Sequence, residues 1–542
     1  MAGFDPQGGG HSLFVRQRYG HPVWSALLAL VAGALQASSL AWPVAMPAFL
    51  GVFGLTRGEP LWWGQTLAMA VLVHLLLRSR SARSAAWHGG LFTTAWLACT
   101  FAWLFTSMHT FGGLSAPLAV LAVLALAAAL ALYYVASSWS FWHLAHINKA
   151  LVAIYFAFLW VLAEMARGML LTGFGWGAIG YSHVNGPLAA ALPWLGLYGV
   201  SVLAALLAVL LAFMLGARSW FALGQPALVL AALLALLPLL PAPQGAANGT
   251  LGVTLLQGNI AQDEKFEPGS GVPKALRWYG EQLNANTSAL IISPETAVPL
   301  LPEQLPQGYW QALQQRFAVG DQAALIGVPL GSYEAGYTNS VVGFKPGQAE
   351  PWRYDKHHLV PFGEFIPPLF RWFTNLMAIP LGDFNRGGLA QPTFDWQGQR
   401  LATSICYENL FGEEMAAQFT DATKAPTVLV NLSNLGWFGE HLAMDQHLQI
   451  ARVRALEFDR PFLLSTNTGR TALVDHQGRV THALPNHVAQ ALQVQVQGRT
   501  GITPYVWWVS RWGQWPVVML ALLSVLAISF FGRRRQEPPG SF

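Results

Sequence analysis

The chain has 542 residues, of which 54% are apolar or aromatic and only 10% are charged. Soluble globular domains carry about 25% charged residues, so a large part of this surface does not face water. The apolar content excludes a disordered chain, and a cysteine content of only Cys99 and Cys406 excludes a disulfide scaffold. The net charge of +4 is explained by bases that flank apolar segments, so we expect no nucleic-acid partner.

Residues 1–242 have the composition of a membrane domain. A spanning helix needs about 20 mostly apolar residues. Region 24–56 is interrupted by Pro43 and Pro47, and we interpret it as one broken span. The other stretches with the required length lie near 61–78, 88–108, 113–136, 148–166, 187–216, 222–241 and 514–531. The sequence therefore predicts about eight spans, seven in 1–242 and one in the C-terminal segment 506–542.

Basic residues orient these spans, because cytoplasmic loops of membrane proteins are enriched in Lys and Arg. In the predicted topology most bases fall on one side, namely Arg16, Arg18, Arg78, Arg80, Arg83, Lys149, Arg218, Arg533, Arg534 and Arg535. We expect that side to be cytoplasmic. Seven crossings then place residues 243–505 outside the cytoplasm, and the last span returns the C-terminus to it.

Residues 243–505 read as an α/β domain, with short apolar runs between turn signals and helical patterns. We predict a helix over 439–460 and a hairpin turn at 475–478. Near-continuous apolar strands are predicted at 250–260, 289–295, 323–330, 339–345, 401–408, 427–434 and 462–467. The chain contains no GxGxxG, GxxxxGK[ST] or HExxH motif, so nucleotide and zinc-protease chemistry have no support.

The first polar segment that ends an apolar strand is ISPETAVP, in which Glu295 follows Pro294. A carboxylate at the mouth of a buried strand loses part of its hydration, and such a group can act as a general base. The alternative is an ordinary capping or surface glutamate at a strand–loop junction.

The second polar segment, RYDKHHLVPFGEFIP, contains Lys356 and, eight residues later, Glu364. A buried lysine can stabilise an oxyanion or favour a thiolate. The adjacent side chains of His357 and His358 diverge, and no further ligand lies at metal-binding spacing, so we expect no metal. A solvated charged loop is the alternative interpretation.

The third polar segment is LATSICYENLFGEE, in which Cys406 ends an apolar strand. Tyr407, Glu408 and Asn409 are predicted to open a helix. A thiol at a helix N-terminus is expected to favour the nucleophilic thiolate. The alternative is a cysteine that serves as a small core hydrophobe.

A glutamate, a lysine and a cysteine in this order resemble the catalytic set of the nitrilase superfamily, whose fold is an αββα sandwich. A nitrilase-like domain between N-terminal spans and one C-terminal span is similar to the apolipoprotein N-acyltransferases. The motifs PETAVP, DKHHLVPFGEFIP and ICYE carry this resemblance, and the membrane segments 110–117 and 160–188 extend it over nearly the whole chain. It implies a polytopic α-helical membrane domain joined to an α/β nitrilase-like domain.

The resemblance implies that a fatty acyl chain moves from a phospholipid, typically the sn-1 chain of phosphatidylethanolamine, through a cysteine thioester. The implied acceptor is the α-amino group of a diacylglyceryl-cysteine at the N-terminus of an apolipoprotein. By this resemblance Cys406 is the nucleophile, Glu295 the general base and Lys356 the oxyanion-stabilising cation. No cofactor is implied. The implied location is the bacterial inner membrane, with the catalytic domain on the periplasmic side.

Four further positions match residues that support or line the family site. Glu364 matches a second glutamate, Tyr407 and Glu408 match residues beside the nucleophile, and Trp437 matches an aromatic associated with substrate access. The sequence departs from the family in SNLGWFG, where related chains often read SNDAWFG. Leu435 occupies the aspartate position, so this position supplies no carboxylate.

Other features have simpler interpretations. The segment 367–384 is rich in large apolar side chains, and our hypothesis is an arm that dips into the outer leaflet and gates lipid entry. An ordinary core helix is the alternative. Glu164 and Arg167 suit charge pairing near a helix end, with an intramembrane functional pair as the alternative, and Cys99 suits core packing.

Two other functional classes fit part of the pattern. A membrane-tethered nitrilase-type amidase would use the same thioester and pass the acyl group to water. A transporter or receptor with a ligand-binding outer domain fits less well, because intramembrane charge is sparse and the three polar segments stay unexplained. Replacement of Cys406 distinguishes a binder from both enzymes, since a binder would keep its function.

Overall fold

The N-terminal half consists of long apolar helices in a computed structural model that describes residues 22–145, 147–243, 245–332, 334–366, 384–440 and 442–534. Aromatic side chains fill the centre of this helical domain, where the Trp96 and Trp160 rings stack with centroids 5.7 Å apart. The helices are Pro22–Ser38, Trp62–Arg78, Ala82–Thr100, Ala116–Leu144, Lys149–Met169, Leu192–Leu215, Trp220–Leu236 and, at the end of the described chain, Trp515–Arg534.

Five of the described helices are long and apolar enough to cross a bilayer, and a sixth is added if the bent pair Ala82–Thr100 and Leu104–Phe111 counts as one span. Pro22–Ser38 and Trp62–Arg78 have only 17 residues each. The total of about eight crossings therefore stays a prediction. In the region 24–56, the helix stops before both prolines, and a short 3₁₀ helix, Ala48–Phe53, follows them.

Two other expectations for this domain can be compared with the structure. Cys99 lies on the exposed face of its helix, so the prediction of core packing was wrong. The helical period explains this, because Trp96 and Thr100 face the interior, and Cys99 lies about 60° from Trp96 and about 100° from Thr100 around the helix axis. Glu164 and Arg167 are buried and hydrogen-bond to the backbone of 174–179, where the Glu164 carboxylate accepts the Ile179 N–H at 2.9 Å.

The α/β domain contains two six-stranded sheets with orders β12-β1-β2-β3-β4-β5 and β11-β10-β9-β8-β7-β6. The strands are β1 Ala247–Gln257, β2 Leu290–Ile292, β3 Ala323–Ser332, β4 Gly336–Phe344, β5 Trp352–Asp355, β6 Phe394–Trp396, β7 Gln399–Ile405, β8 Val428–Ser433, β9 Phe462–Thr466, β10 Ala472–Val474, β11 Val480–Ala483 and β12 Gln490–Arg499. All seven predicted strands are confirmed, as are the helix, at Leu442–Phe458, and the hairpin turn between β10 and β11.

The two sheets face each other, and helices cover both outer faces. Apolar side chains from both sheets, such as Val253, Leu325 and Val430, fill the space between them. The outer face of the first sheet packs against Gly271–Ala285 and Tyr309–Ala318. The helices Leu442–Phe458 and Pro504–Trp512 cover the outer face of the second sheet. This layering is the αββα sandwich that the resemblance to the nitrilase superfamily implied.

The helix Leu442–Phe458, here called the bridging helix, joins the sandwich to the membrane domain. The Gln446 side-chain oxygen accepts the indole N–H groups of Trp103 at 3.1 Å and Trp176 at 2.7 Å. One end of the bridging helix reaches a break in a membrane helix, where Glu457 accepts the Leu197 N–H at 2.6 Å. These buried contacts hold the sandwich against one end of the helical domain.

Candidate active site

Three side chains from the loops after two different strands meet in one buried cluster. Glu295 follows β2 by three residues, Lys356 directly follows β5, and Glu364 lies on the same loop. The Lys356 ammonium donates to the Glu364 carboxylate at 2.9 Å and lies 3.5 Å from the Glu295 carboxylate. All three are at least nine-tenths buried, so water screens their charges weakly.

Two asparagines hold the carboxylates in place. Asn339 lies within β4, and its side-chain amide donates to the Glu295 carboxylate at 2.7 Å and to the Glu364 carboxylate at 2.8 Å. The Asn434 N–H, directly after β8, donates to the other Glu295 oxygen at 2.8 Å. Gly327 leaves room for this arrangement, because a Cβ there would lie 2.2 Å from the Pro294 carbonyl oxygen and 2.8 Å from the Glu295 Cα.

Cys406 directly follows β7 and lies beside the same carboxylates. Its backbone has a φ of 52°, a left-handed conformation that is uncommon for residues other than glycine. The Asn431 amide supports this turn by donating to the Cys406 carbonyl oxygen at 3.1 Å. Strained backbone at a strand end is a recurrent feature of functional sites.

Burial raises the pKa of the Cys406 thiol to about 12, and the neighbouring Glu295 carboxylate acts in the same direction. Lys356 opposes this rise without cancelling it. The prediction of a thiolate-favouring helix was therefore wrong. The residues after the thiol form only a five-residue 3₁₀ helix, Cys406–Leu410, and desolvation outweighs what so short a helix provides.

The Lys356 ammonium has the opposite behaviour. Burial alone would lower its pKa, but the Glu364 and Glu295 carboxylates outweigh burial and raise the pKa above its usual value. Lys356 is therefore a permanent cation, and a base must remove the thiol proton before Cys406 can attack a carbonyl.

Glu408 ties the cysteine segment to the lysine segment. Its carboxylate accepts the N–H groups of Ile405 at 2.6 Å, His357 at 2.7 Å and His358 at 3.1 Å, and the Tyr354 hydroxyl at 2.9 Å. Burial raises the pKa of Glu408, whereas these backbone donors lower it. Its four partners indicate a structural anchor beside the thiol.

The cluster lies against the membrane domain. The Tyr407 hydroxyl donates to the Gly173 carbonyl oxygen at 2.8 Å, and a His358 ring nitrogen lies 3.0 Å from the Thr172 carbonyl oxygen. Gly173 is itself required there, since its φ is 80° and a Cβ would meet the Gly168 carbonyl oxygen at 2.1 Å. The loop that follows one membrane helix thus contacts residues next to Cys406 and Lys356.

The loop that carries Trp437 also contacts the membrane domain. Trp437 is 38% exposed and meets the Phe111 ring edge to face, with centroids 5.7 Å apart. Leu435 is buried in the core between the sheets. An aspartate side chain at this position would be buried among apolar groups, which costs free energy, whereas the leucine side chain packs there favourably.

Other expected features can be located only in part. Residues 367–383 of the predicted lipid-gating arm lie outside the described residues. The His357 ring contacts the Gly387 carbonyl oxygen at 2.9 Å, and the His358 ring contacts Glu414 at 2.9 Å. Within the described ranges, no group of three or more His, Cys, Asp or Glu side chains is placed to hold a metal ion.

Sequence reasoning missed Asn339, Asn434 and Lys265 as members of this cluster. Lys265 is buried, and its ammonium donates to the Glu295 main-chain oxygen at 3.0 Å. Asn339 and Asn434 adjoin apolar runs, which is a usable signal, whereas Lys265 lies in a polar segment that gives none. Their common destination depends on long-range packing that a single sequence does not display.

Two family models match this chain in separate regions. One is described as the apolipoprotein N-acyltransferase N-terminal domain and matches residues 58–210. The other is described as carbon-nitrogen hydrolase and matches residues 252–505. The fold and the buried cluster thus define a nitrilase-type protein built on a membrane domain.

Curated relatives narrow this class. The chain is 53% identical over 513 residues to the apolipoprotein N-acyltransferase of Verminephrobacter eiseniae, which covers 90% of this chain and 93% of the relative. It is 40% identical over 514 residues to that of Ralstonia nicotianae, covering 92% and 97%. The chain belongs to the apolipoprotein N-acyltransferase family. Among solved structures, a CN-hydrolase superfamily protein of Xanthomonas campestris has 16% identity and a TM-score of 0.35, covering 54% of this chain and 99% of that one.

Proposed function

We propose that this protein moves a fatty acyl chain from a phospholipid, through a thioester on Cys406, to the N-terminal α-amino group of a diacylglyceryl-cysteine apolipoprotein. Phosphatidylethanolamine and its sn-1 chain are the proposed donor. The observation that carries the proposal is that the residues following Cys406 are part of the apolar core of the membrane domain. Tyr407, Leu410 and Phe411 belong to that core, so the thiol lies next to the contact between the sandwich and the membrane domain.

In the first half-reaction, Glu295 takes the proton of Cys406 and the sulfur attacks the ester carbonyl of the donor. The carbonyl oxygen becomes an oxyanion, which the Lys356 ammonium stabilises. The carbon–oxygen ester bond then breaks, and Glu295 returns its proton to the leaving alkoxide. The products are a lysophospholipid and the thioester.

In the second half-reaction, the α-amino group attacks the thioester carbonyl and Glu295 takes a proton from the nitrogen. Collapse of the tetrahedral intermediate breaks the carbon–sulfur bond, and the proton returns to the thiolate. The product is an amide on the apolipoprotein, and the cycle is of the ping-pong type. The 3.5 Å separation of Lys356 and Glu295 supports a shared role in both steps.

The surrounding residues receive supporting roles in this proposal. Glu364 holds Lys356 at 2.9 Å, and Glu408 anchors the backbone directly before the thiol and the backbone that follows Lys356. Tyr407 links the thiol segment to the membrane loop, and Trp437 lies at the edge where substrates would approach. No metal or cofactor takes part.

We further propose that the sandwich is periplasmic and that both termini are cytoplasmic. Three membrane helices have one end near the sandwich. Gly58, just before Trp62–Arg78, and Leu197, early in Leu192–Leu215, contact the bridging helix. Thr172, just after Lys149–Met169, contacts His358. Arg78, Lys149 and the Arg218 that follows Leu215 lie at the opposite ends. This distribution supports a cytoplasmic location for the ends far from the sandwich.

The experiment is the intact mass of the detergent-purified protein after incubation with phosphatidylethanolamine. We expect the mass of one acyl chain to be added and then removed by hydroxylamine. The Cys406→Ser variant should gain nothing, whereas the Cys99→Ser variant, a matched control for the other thiol, should gain the full adduct. An adduct that persists in Cys406→Ser would contradict the proposal.

A second measurement distinguishes transfer from hydrolysis. The isolated acyl-enzyme is mixed with a synthetic diacylglyceryl-cysteine peptide, and the products are separated by mass. An N-acylated peptide is the expected product. Release of free fatty acid at the same rate with and without peptide would instead identify the membrane-tethered amidase.

A further inference from the structure

A second buried lysine lies beside Glu295, on a different segment from Lys356. Lys265 belongs to the chain between β1 and the helix Gly271–Ala285, is only 2% exposed, and donates from its ammonium to the Glu295 main-chain oxygen at 3.0 Å. A fully buried lysine is rare in proteins unless it is paired or functional. The steps proposed above make no use of this cation.

The segment that carries Lys265 is tied to the cluster at several points. The Gln262 side-chain oxygen accepts the Asn434 amide at 2.7 Å, and Asn434 in turn donates its N–H to Glu295. Asn467 accepts the Ile260 N–H at 3.0 Å and donates to Asn434 at 3.1 Å. These contacts hold Lys265 in position next to the Glu295 backbone.

The charges of the cluster explain why a second cation matters. Glu295 and Glu364 are two carboxylates, and Lys356 neutralises only one of them. Passing the Cys406 proton to Glu295 moves the surplus negative charge onto the sulfur, beside the Glu364 carboxylate. The net charge of the cluster does not change in this step, but the charge then lies on a buried sulfur, where one more ammonium in the cluster stabilises it.

We propose that Lys265 is a positioning residue of this site, whose ammonium holds the Glu295 main chain and supplies the second positive charge that lets Cys406 lose its proton. The proposal deepens the function proposed above and depends on it for the role of the thiolate. It assigns to Lys265 an effect on Cys406 through charge, without contact with the substrate.

The protonation of Lys265 supports this role. Burial lowers the pKa of Lys265 to about 8, while the Glu295 and Cys406 charges act to raise it. Interactions between two titrating groups are reciprocal, so a charged Lys265 favours the Cys406 thiolate to the same extent. Besides these two groups, the ammonium lies 5.8 Å from the centre of the Phe266 ring. The amine therefore remains a cation at neutral pH and becomes neutral above pH 8.

The test is the rate at which iodoacetamide alkylates Cys406 in the full-length, detergent-purified protein. Mass analysis of the peptide that contains Cys406 keeps Cys99 from contributing. Lys265→Gln retains a donor for Glu295 but removes the charge, and Lys265→Met removes both. The matched control is Lys274→Met, which removes an exposed lysine from the adjacent helix.

At pH 7 we expect alkylation at least about tenfold slower in both Lys265 variants, as for a one-unit rise of the thiol pKa. The Lys274 control should stay within about twofold, as expected for a solvent-screened charge. Normal alkylation in both Lys265 variants would overturn the proposal. A normal rate in Lys265→Gln with a slow Lys265→Met would show that the hydrogen bond matters and the charge does not.

The unchanged protein provides a readout that needs no variant. The logarithm of its alkylation rate should rise with pH, flatten around pH 8 where Lys265 loses its charge, and then rise again. An uninterrupted straight line through this range would overturn the proposal even if the variants failed to fold. Alkylation uses no lipid, so an unchanged protein that forms no acyl adduct would contradict the proposed function without affecting this result.

Discussion

Replacing Lys265 by methionine should stabilise the folded protein and slow the alkylation of Cys406. The pKa of this lysine falls from 10.5 to about 8 on folding. A shift of that size makes the buried ammonium cost about 3 kcal/mol of folding free energy at neutral pH. Methionine removes this cost and loses the hydrogen bond to Glu295, which contributes about 1 kcal/mol. A net gain of about 2 kcal/mol is therefore expected at pH 7.

The sign of this effect depends on pH in a defined way. Between pH 8 and 10.5 the unfolded chain binds the lysine proton and the folded protein does not, so the stability of the unchanged protein rises with pH. The advantage of Lys265→Met should thus be complete below pH 8 and should disappear as pH rises toward 10.5.

The assay is thermal unfolding in detergent, followed by tryptophan fluorescence at one fixed scan rate, because membrane proteins often unfold irreversibly. We expect the Lys265→Met midpoint to lie a few degrees above that of the unchanged protein at pH 7 and to converge with it, or fall below it, near pH 10. Lys274→Met should show neither change. If the Lys265→Met midpoint lay below that of the unchanged protein at pH 7, the reasoning would be refuted, because Lys265 would then stabilise the fold.

Three further substitutions test contacts around the cluster. Glu408→Gln should slow acyl-enzyme formation tenfold or more and lower the free energy of unfolding by about 2 kcal/mol, because an amide cannot accept all four hydrogen bonds. The control is Glu281→Gln, at an exposed position, and equal rates in the two variants would contradict the anchoring role of Glu408. Gly327→Ala should reduce the rate of acylation at least about a hundredfold, because the added Cβ displaces the Glu295 backbone. Gly269, which has open space around it, provides the control Gly269→Ala, and the hydroxylamine-sensitive mass adduct measures acylation in both variants. Gln446→Leu should lower the unfolding midpoint by several degrees, since two buried indole N–H groups lose their acceptor at about 1–3 kcal/mol each, and an unchanged midpoint would show that water replaces the glutamine.

Much of the architecture could be predicted from sequence because its signals are local. Apolar runs of the required length identify the membrane helices, and near-continuous apolar strands identify the buried sheets. The strand β12 was missed because glutamines alternate along it, with only one face against the core. The prolines in the region 24–56 indicated a break, and the structure ends the helix at Ser38, before both of them.

The candidate site likewise has features that short motifs reveal and features that depend on long-range packing. By itself the sequence determined that Glu295 and Cys406 end apolar strands and that Lys356 lies between them in the chain, in the order typical of one superfamily, because this information lies in short motifs. Only the tertiary structure decided that Asn339 and Lys265 join them, since these contacts connect distant segments. The acidity of Cys406 was also decided there. Burial and the Glu295 carboxylate, both products of long-range packing, outweigh the local effect of the turn that follows the thiol.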